Sequence, residues 1–321
     1  MVKRLLQDNH EVTIVDSLER GHRDAVDPRA QLKVGNLSDT SFLVEVFASQ
    51  QFDAVIHFAA YISMAESMQN PYMYFENNTY NALRLIEEAS RANVKKFIFS
   101  STAGVYGSPI KSPIAEDHPK NPENPYGESK LMVERILSWY QKIHGMNFVV
   151  LRYFNACGAS PDGSIGEDHD PESHIIPNAI RAALEKREFS LFGDDYNTPD
   201  GTCVRDYIHV LDLAEAHMLA LHKLESDRGG FSYNVGTGKG YSNKEVVELI
   251  KKVSGIELKY IIAPRRPGDA DALVADNSKI VSELHFSPRY SDLETIVKSA
   301  WEWHKRNSDL EVDLPAGKAG N

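Results

Sequence analysis

Tyr126 and Lys130 stand four residues apart in NPYGESK, residues 124–130, a spacing that puts both side chains on one face if the segment is helical. The pairing has a chemical use. A phenol with an unperturbed pKa of ~10 is a poor base at neutral pH, and an adjacent ammonium stabilises the phenolate and lowers that value. A Tyr-x-x-x-Lys match also arises by chance on solvated helix faces. Here the hydroxyl-rich segment SSTAGVYG, residues 100–107, lies just upstream and follows the apolar run KKFIF.

Rigid elements must hold such a pair. Mostly apolar runs at residues 11–16, 31–34, 54–58, 96–100 and 147–153 read as strands, with helices at 40–49, 74–92 and 126–144 between them. Apolar strands alternating with helices predict an α/β, Rossmann-like, doubly wound parallel sheet buried on both faces. This unit is expected to span residues 1–155. Beyond it the chain loosens into CGASPDGSIGEDHDPESH, and a smaller α/β substrate-binding lobe is expected over 156–308, with some segments crossing back. That lobe is predicted to hold helices at 176–186, 211–224, after Ser242 and at 293–305, and strands at 189–192, 231–235 and 258–262. Ser242 and Glu245 read as a capping box. Residues 309–321, DLEVDLPAGKAGN, have little to bury and are expected to be a disordered tail.

The 321 residues are 42% hydrophobic and 25% charged, with no apolar run long enough to span a bilayer. A formal charge of −11 argues against nucleic acid and anionic membrane as partners, since both need a basic face. Two cysteines, Cys157 and Cys203, cannot form a disulfide framework and fit a reducing cytoplasm. Asp16, closing its strand, is open to two readings. It either forms a turn before Ser17 or accepts hydrogen bonds from the adenosine ribose of NAD and repels the 2′-phosphate of NADP.

HFAA (57–60), ENN (76–78), SSTAGVYG, YGESK, LRYFNACGA (151–159), DGTCVRDYIHV (200–210), NVGTG (234–238) and APRRPGDAD (263–271) follow one another in this order. Through them the chain resembles the extended short-chain dehydrogenase/reductase superfamily over nearly its whole length, and within it the nucleotide-sugar 4-epimerases. The resemblance implies interconversion of UDP-glucose and UDP-galactose through a 4-keto sugar, with tightly bound NAD as cofactor. It makes Tyr126 the base, Lys130 its electrostatic partner, and Thr102 a hydrogen-bond partner of the same sugar oxygen. Cofactor contacts fall by resemblance on Asp16, Asn36, Phe58, Ala59, Asn77, Lys130 and Phe154. Substrate contacts fall on Thr102, Tyr126, Asn155, Phe192, Arg205, Arg266 and Asp269, the two guanidinium forks suiting a pyrophosphate. It also implies a homodimer formed through the helices at 74–92 and 126–144.

Several features depart from the pattern. Members of the superfamily open with a strand and a G-x-x-G-x-x-G loop that admits the pyrophosphate to a helix N-terminus. Residues 2–6 resemble the latter half of the helix that follows, so this strand and loop are expected to be missing, and a non-catalytic remnant binding UDP-sugar or a partner is a rival reading. A 4,6-dehydratase is another, but those relatives carry acids after the active-site threonine, whereas Ala103 and Gly104 follow Thr102. Ile62 stands where many members have lysine. Leu273 stands where some have tyrosine, and its smaller volume leads us to expect entry of UDP-N-acetylhexosamines. The run EDHDPESH, 167–174, mixes histidine with carboxylates on no predicted element and is expected to be a solvated loop with no metal. His209, His217 and His222 are expected to be packing or surface residues.

Overall fold

The computed structural model describes residues 1–266 and 269–313. After helix α1 (Val2–Gln7), strand β1 (Thr13–Asp16) pairs in parallel with β2 (Gln31–Val34). Helix α2 (Thr40–Ser49) starts where the Asp39 side chain accepts the Phe42 N–H, and leads to β3 (Ala54–His57). After α3 (Met64–Gln69), the helix predicted over 74–92 is divided between the end of α4 (Pro71–Tyr74), a π-helical turn at Phe75–Tyr80, and α5 (Asn81–Arg91). Within that turn Asn78 is buried and grips both the N–H and the C=O of Tyr61, tertiary bonds that accompany the local widening of the helix.

Strand β4 (Lys96–Thr102), helix α6 (Pro125–His144) and strand β5 (Asn147–Tyr153) follow the expected alternation. The smaller lobe then begins with β6 (Asn155–Cys157), α7 (Ile175–Leu184), β7 (Phe189–Phe192) and β8 (Val204–His209). Next come α8 (Val210–Ser226), β9 (Gly230–Val235), β10 (Gly240–Ser242) and α9 (Asn243–Ser254). Strands β11 (Tyr260–Ala263) and β12 (Ala272–Leu273) and helices α10 (Ser278–Leu284) and α11 (Leu293–Asp313) complete the order. Ser242 and Glu245 form the capping box read from the sequence.

Strands β3, β4, β5 and β9 lie side by side in one parallel sheet, while β1 and β2 form a sheet of their own. Although drawn from the later half of the chain, β9 pairs with β5 from Phe148 to Tyr153. Helix α8 covers the same sheet, packing Leu213, Ala216 and Leu221 against Ile98, Val149 and Leu151. These segments return because β5 offers an unpaired edge and an apolar face to cover. The lobe itself has a separate core in which α7, α9 and α11 bring together Ile176, Ile180, Val246, Ile250, Ile296 and Val297.

Strand β8 was not among the expected strands, because Arg205 and Asp206 interrupt its apolar pattern. Asp206 is fully buried and accepts the N–H groups of Thr237, Gly238 and Ala275 and the Thr237 hydroxyl. Those bonds replace water around a carboxylate. Strands β6, β10 and β12 and helices α3 and α10 were also too short to show a period. Residues 309–313, expected to be disordered, continue α11, since extending a formed helix costs far less than nucleating one. The remainder of that expected tail, 314–321, lies outside the described residues.

Candidate active site

Helix α6 is built to present its first turns accurately. Asn124 caps it by accepting the Gly127 N–H at 2.8 Å, Pro125 occupies the first turn, and Gly145 closes the far end in the left-handed conformation. Tyr126, Lys130 and Glu134 recur every four residues and face the sheet. Lys130 is only 3% exposed, donates to the Ser100 carbonyl at 2.9 Å and lies 5.0 Å from the Phe99 ring centroid. Glu134 accepts two bonds from Arg152, at 3.0 and 2.7 Å, and one from the Ser101 hydroxyl at 2.6 Å. The helix is thereby registered on consecutive residues of β4.

Gly127 explains the close contact at the helix start. A Cβ there would lie 2.6 Å from the Gly104 carbonyl oxygen, so any side chain would force α6 away from the turn that follows β4. That approach sets the start of α6 beside Thr102, whose hydroxyl influences the Tyr126 phenol and accepts the Gly104 N–H at 3.0 Å.

The electrostatics differ from the expectation of a lowered phenol pKa. Burial raises Tyr126, with the Thr102 hydrogen bond acting in the opposite direction, and burial depresses Lys130 to about 7. Low-dielectric surroundings disfavour both charged forms. His57, buried behind them, is pushed down to about 3 by burial and then by the Lys130 charge.

At the carboxyl end of the sheet Phe58 and Ala59 are exposed, Phe58 lying against His217 with ring centroids 4.8 Å apart. Asn77 sits in the π-helical turn and donates to the Asn78 side chain at 3.1 Å. Phe154 packs with Tyr106, Leu131 and Leu273, and Asn155 donates to the Asp206 carbonyl at 2.8 Å.

A second group gathers in the smaller lobe. Arg205 lies 3.4 Å and Arg266 3.9 Å from Asp269, and the Arg266 guanidinium stacks 4.4 Å from the Phe192 ring centroid. Leu273 stands opposite Arg205 in the β8–β12 register and belongs to the apolar cluster of Phe154 and Leu131. Asp16 and Asn36 stand apart at the ends of β1 and β2. Asp16 accepts the Leu18 N–H at 2.7 Å and Asn36 the Ser38 N–H at 2.9 Å, and neither is hydrogen-bonded to the Tyr126 group among the described residues.

Sequence reading missed the Ser100 carbonyl, Asn78, Gly127, Asp206 and the Glu134–Arg152 pair. Only Glu134 left a signal, as the next member of the Tyr126–Lys130 stripe. Residues 167–174, expected to be a solvated loop, lie outside helices and strands with Asp168, Asp170, Ser173 and His174 exposed, and within the loop Glu167, His169, Glu172 and His174 converge, with ligand-type atoms all within 4.8 Å of one another. Glu172 accepts the backbone N–H groups of Ser173 and His174, which turns the loop inward ahead of α7.

These donors can be tested against a dinucleotide. Lys130 has three N–H groups and one acceptor among the described residues, leaving donors for ribose hydroxyls. Exposed Phe58 and Ala59 offer an apolar surface, and one Asp16 oxygen remains without a hydrogen-bond partner among the described residues. The set fits NAD.

An α/β sheet with a Tyr-x-x-x-Lys pair at its carboxyl end, the lysine buried against the sheet, defines a nucleotide-dependent enzyme of the short-chain dehydrogenase/reductase type. The chain belongs to the NAD dependent epimerase/dehydratase family, which matches residues 1–236. It is 49% identical over 307 residues to a UDP-glucose 4-epimerase of Streptococcus mutans, covering 95% of this chain and 92% of that one. The solved UDP-glucose 4-epimerase of Bifidobacterium longum in complex with NAD+ and UDP superposes with a TM-score of 0.90 at 38% identity, covering 95% of this chain and 94% of the other. The UDP-Glc/GlcNAc 4-epimerase of Campylobacter jejuni superposes with a TM-score of 0.83 at 42% identity, with the same coverages.

Proposed function

We propose that this chain interconverts UDP-glucose and UDP-galactose, the activity of a UDP-glucose 4-epimerase, by oxidising and re-reducing carbon 4 of the sugar. The observation that carries this reading is the placement of Tyr126 and buried Lys130 on one face of α6, against the end of β4 that carries Thr102. Tyr126 takes the proton of the 4-hydroxyl, while Thr102 donates to the oxygen as negative charge grows on it. Lys130 in its protonated form, held by Ser100 one helical turn from the phenol, stabilises the phenolate. Bound NAD supplies the hydride acceptor for the first half of the turnover and the donor for the second. Asp16, Asn36, Phe58, Ala59, Asn77, Lys130 and Phe154 would hold it.

Arg205 and Arg266 bind the pyrophosphate and displace Asp269 from their guanidinium groups, with Phe192 and Asn155 beside the nucleotide and the sugar. Anchoring the sugar at one end lets the 4-keto form turn over and accept hydride on its other face. Dehydration lacks an acid here, since Ala103 and Gly104 follow Thr102. The complete set of reacting side chains likewise favours an enzyme over a remnant that only binds. Leu273, opposite Arg205 and packed in the cluster that holds Phe154, supports admission of UDP-N-acetylhexosamines by its smaller volume.

Tyr126→Phe tests the reading. Turnover of UDP-glucose and UDP-N-acetylglucosamine, assayed side by side, is expected to fall together by about 10²–10⁴-fold, while the NAD content and the melting temperature stay unchanged. Undiminished epimerisation by the variant would overturn it.

A homodimer is also part of this reading. Met132, Trp139 and Ile143 are exposed along one side of α6, and Tyr80 is exposed just before α5, an apolar stripe suited to a second copy. Cytoplasmic residence is supported by two free, buried thiols, Cys157 and Cys203. Among the described residues no helix is long and apolar enough to cross a membrane.

A further inference from the structure

The loop ahead of α7 takes no part in the reaction above, yet its side chains are arranged as a ligand set. We propose that Glu167, His169, Glu172 and His174 bind a divalent transition-metal ion of the zinc class. His169 Nδ1 lies 3.2 Å from Glu167 Oε1 and 3.7 Å from Glu172 Oε1, and His174 Nδ1 lies 3.9 Å from Glu172 Oε1 and in contact with Glu167 Oε1. Ligand bonds of ~2.0–2.2 Å in a tetrahedron separate the donor atoms by roughly 3.3–3.6 Å. The separations of 3.2, 3.7 and 3.9 Å lie within a few tenths of an ångström of that range.

Donor chemistry narrows the ion. Two imidazole nitrogens with two carboxylates suit zinc, cobalt or iron, whereas calcium and magnesium take oxygen ligands. The two carboxylate charges balance a divalent ion. Independently of the clustering, the Glu172 side chain is only 2% exposed, and its Oε2 is buried with no hydrogen-bond partner among the described residues. The His169 Nδ1 atom is likewise buried and without a hydrogen bond despite its carboxylate neighbour. Buried polar atoms left in this way are costly unless something else satisfies them.

All four positions of a tetrahedron are filled by protein, which is the pattern of a structural site. Glu167 and His174 also line a small cavity of about 30 Å³ with Asn155, Cys157 and Tyr207. The ion therefore ties the loop between β6 and α7 to the strand that carries Asn155, and acts on the substrate side by positioning.

The test uses the full chain, free of any tag, stripped with a chelator and then dialysed. Titration with cobalt(II) is expected to give the visible absorption of a tetrahedral complex, saturating at about one equivalent per chain and displaced by zinc. Zinc is expected to raise the melting temperature by several degrees. The near-isosteric Glu172→Gln should weaken cobalt binding at least tenfold, and His169→Ala with His174→Ala should abolish both the spectrum and the shift. Absence of the spectrum and of the shift in the native chain would overturn the proposal, leaving two imidazolium–carboxylate pairs as the reason for the cluster. An unchanged response in Glu172→Gln would do the same.

Discussion

Lys130 has an ordinary pKa of 10.5 in the unfolded chain but about 7 in the folded protein, because burial removes the water that stabilises its charge. Between these values the unfolded chain binds a proton that the folded protein does not, so this residue makes stability rise with pH, by at most about 1.4 kcal/mol per unit. Below pH 7 the loss is complete. Lys130→Met removes the titration. Its melting temperature is expected to exceed that of the native chain most at pH 6–7, with the difference shrinking as pH rises towards 10; a difference independent of pH would show that the amine is hydrated. The spacing of Tyr126 and Lys130 was legible in the sequence. Their depth was not, and depth reverses the expected shift of the phenol in the protein alone.

At the scale of the element, α6 positions the site because its inward stripe ends in a buried ion pair. Arg152 and Glu134 are 3% and 7% exposed, and Arg152 also donates to the Tyr106 hydroxyl, which donates to Asn234 on β9. The network thus ties α6 to three strands. Glu134→Ala leaves a buried guanidinium uncompensated and is expected to cost about 3–5 kcal/mol in urea unfolding. Adding Arg152→Met should recover much of that loss, because replacing both partners also removes the desolvation penalty. No recovery would mean that the pair contributes through geometry that no apolar substitute reproduces. The extent of α6 was readable from its pattern, expected over 126–144 and observed over Pro125–His144. The π-helical turn before α5 was not, since Asn78 makes its bonds to Tyr61 and Ser129, which are remote in sequence.

For the whole molecule, the exposed stripe on α6 decides the oligomeric state expected of it. Trp139 and Ile143, 60% and 67% exposed, stand one helical turn apart, and desolvating them against a second copy supplies the driving force. The doubly substituted Trp139→Glu, Ile143→Glu is expected to sediment as a monomer while the native chain sediments as a dimer. A native monomer would remove the homodimer from the functional reading. Tyr126, Lys130 and Thr102 lie on the far side of α6 from this stripe, so the monomeric variant should keep measurable epimerase activity.

Local pattern in the sequence determined the alternation of strands and helices, the capping box of α9, and the four-residue step that puts a phenol and an amine on one face. Each of these depends on neighbours within a few residues, where periodicity and turn chemistry act. Only the tertiary structure decided that β9 and α8 return to the first sheet, that Arg205, Arg266 and Asp269 meet from separate segments, and that the 167–174 loop folds its histidines onto its glutamates. Those outcomes depend on which apolar faces remain to be covered and which charges lose their water. Burial of that kind is a property of the assembled chain.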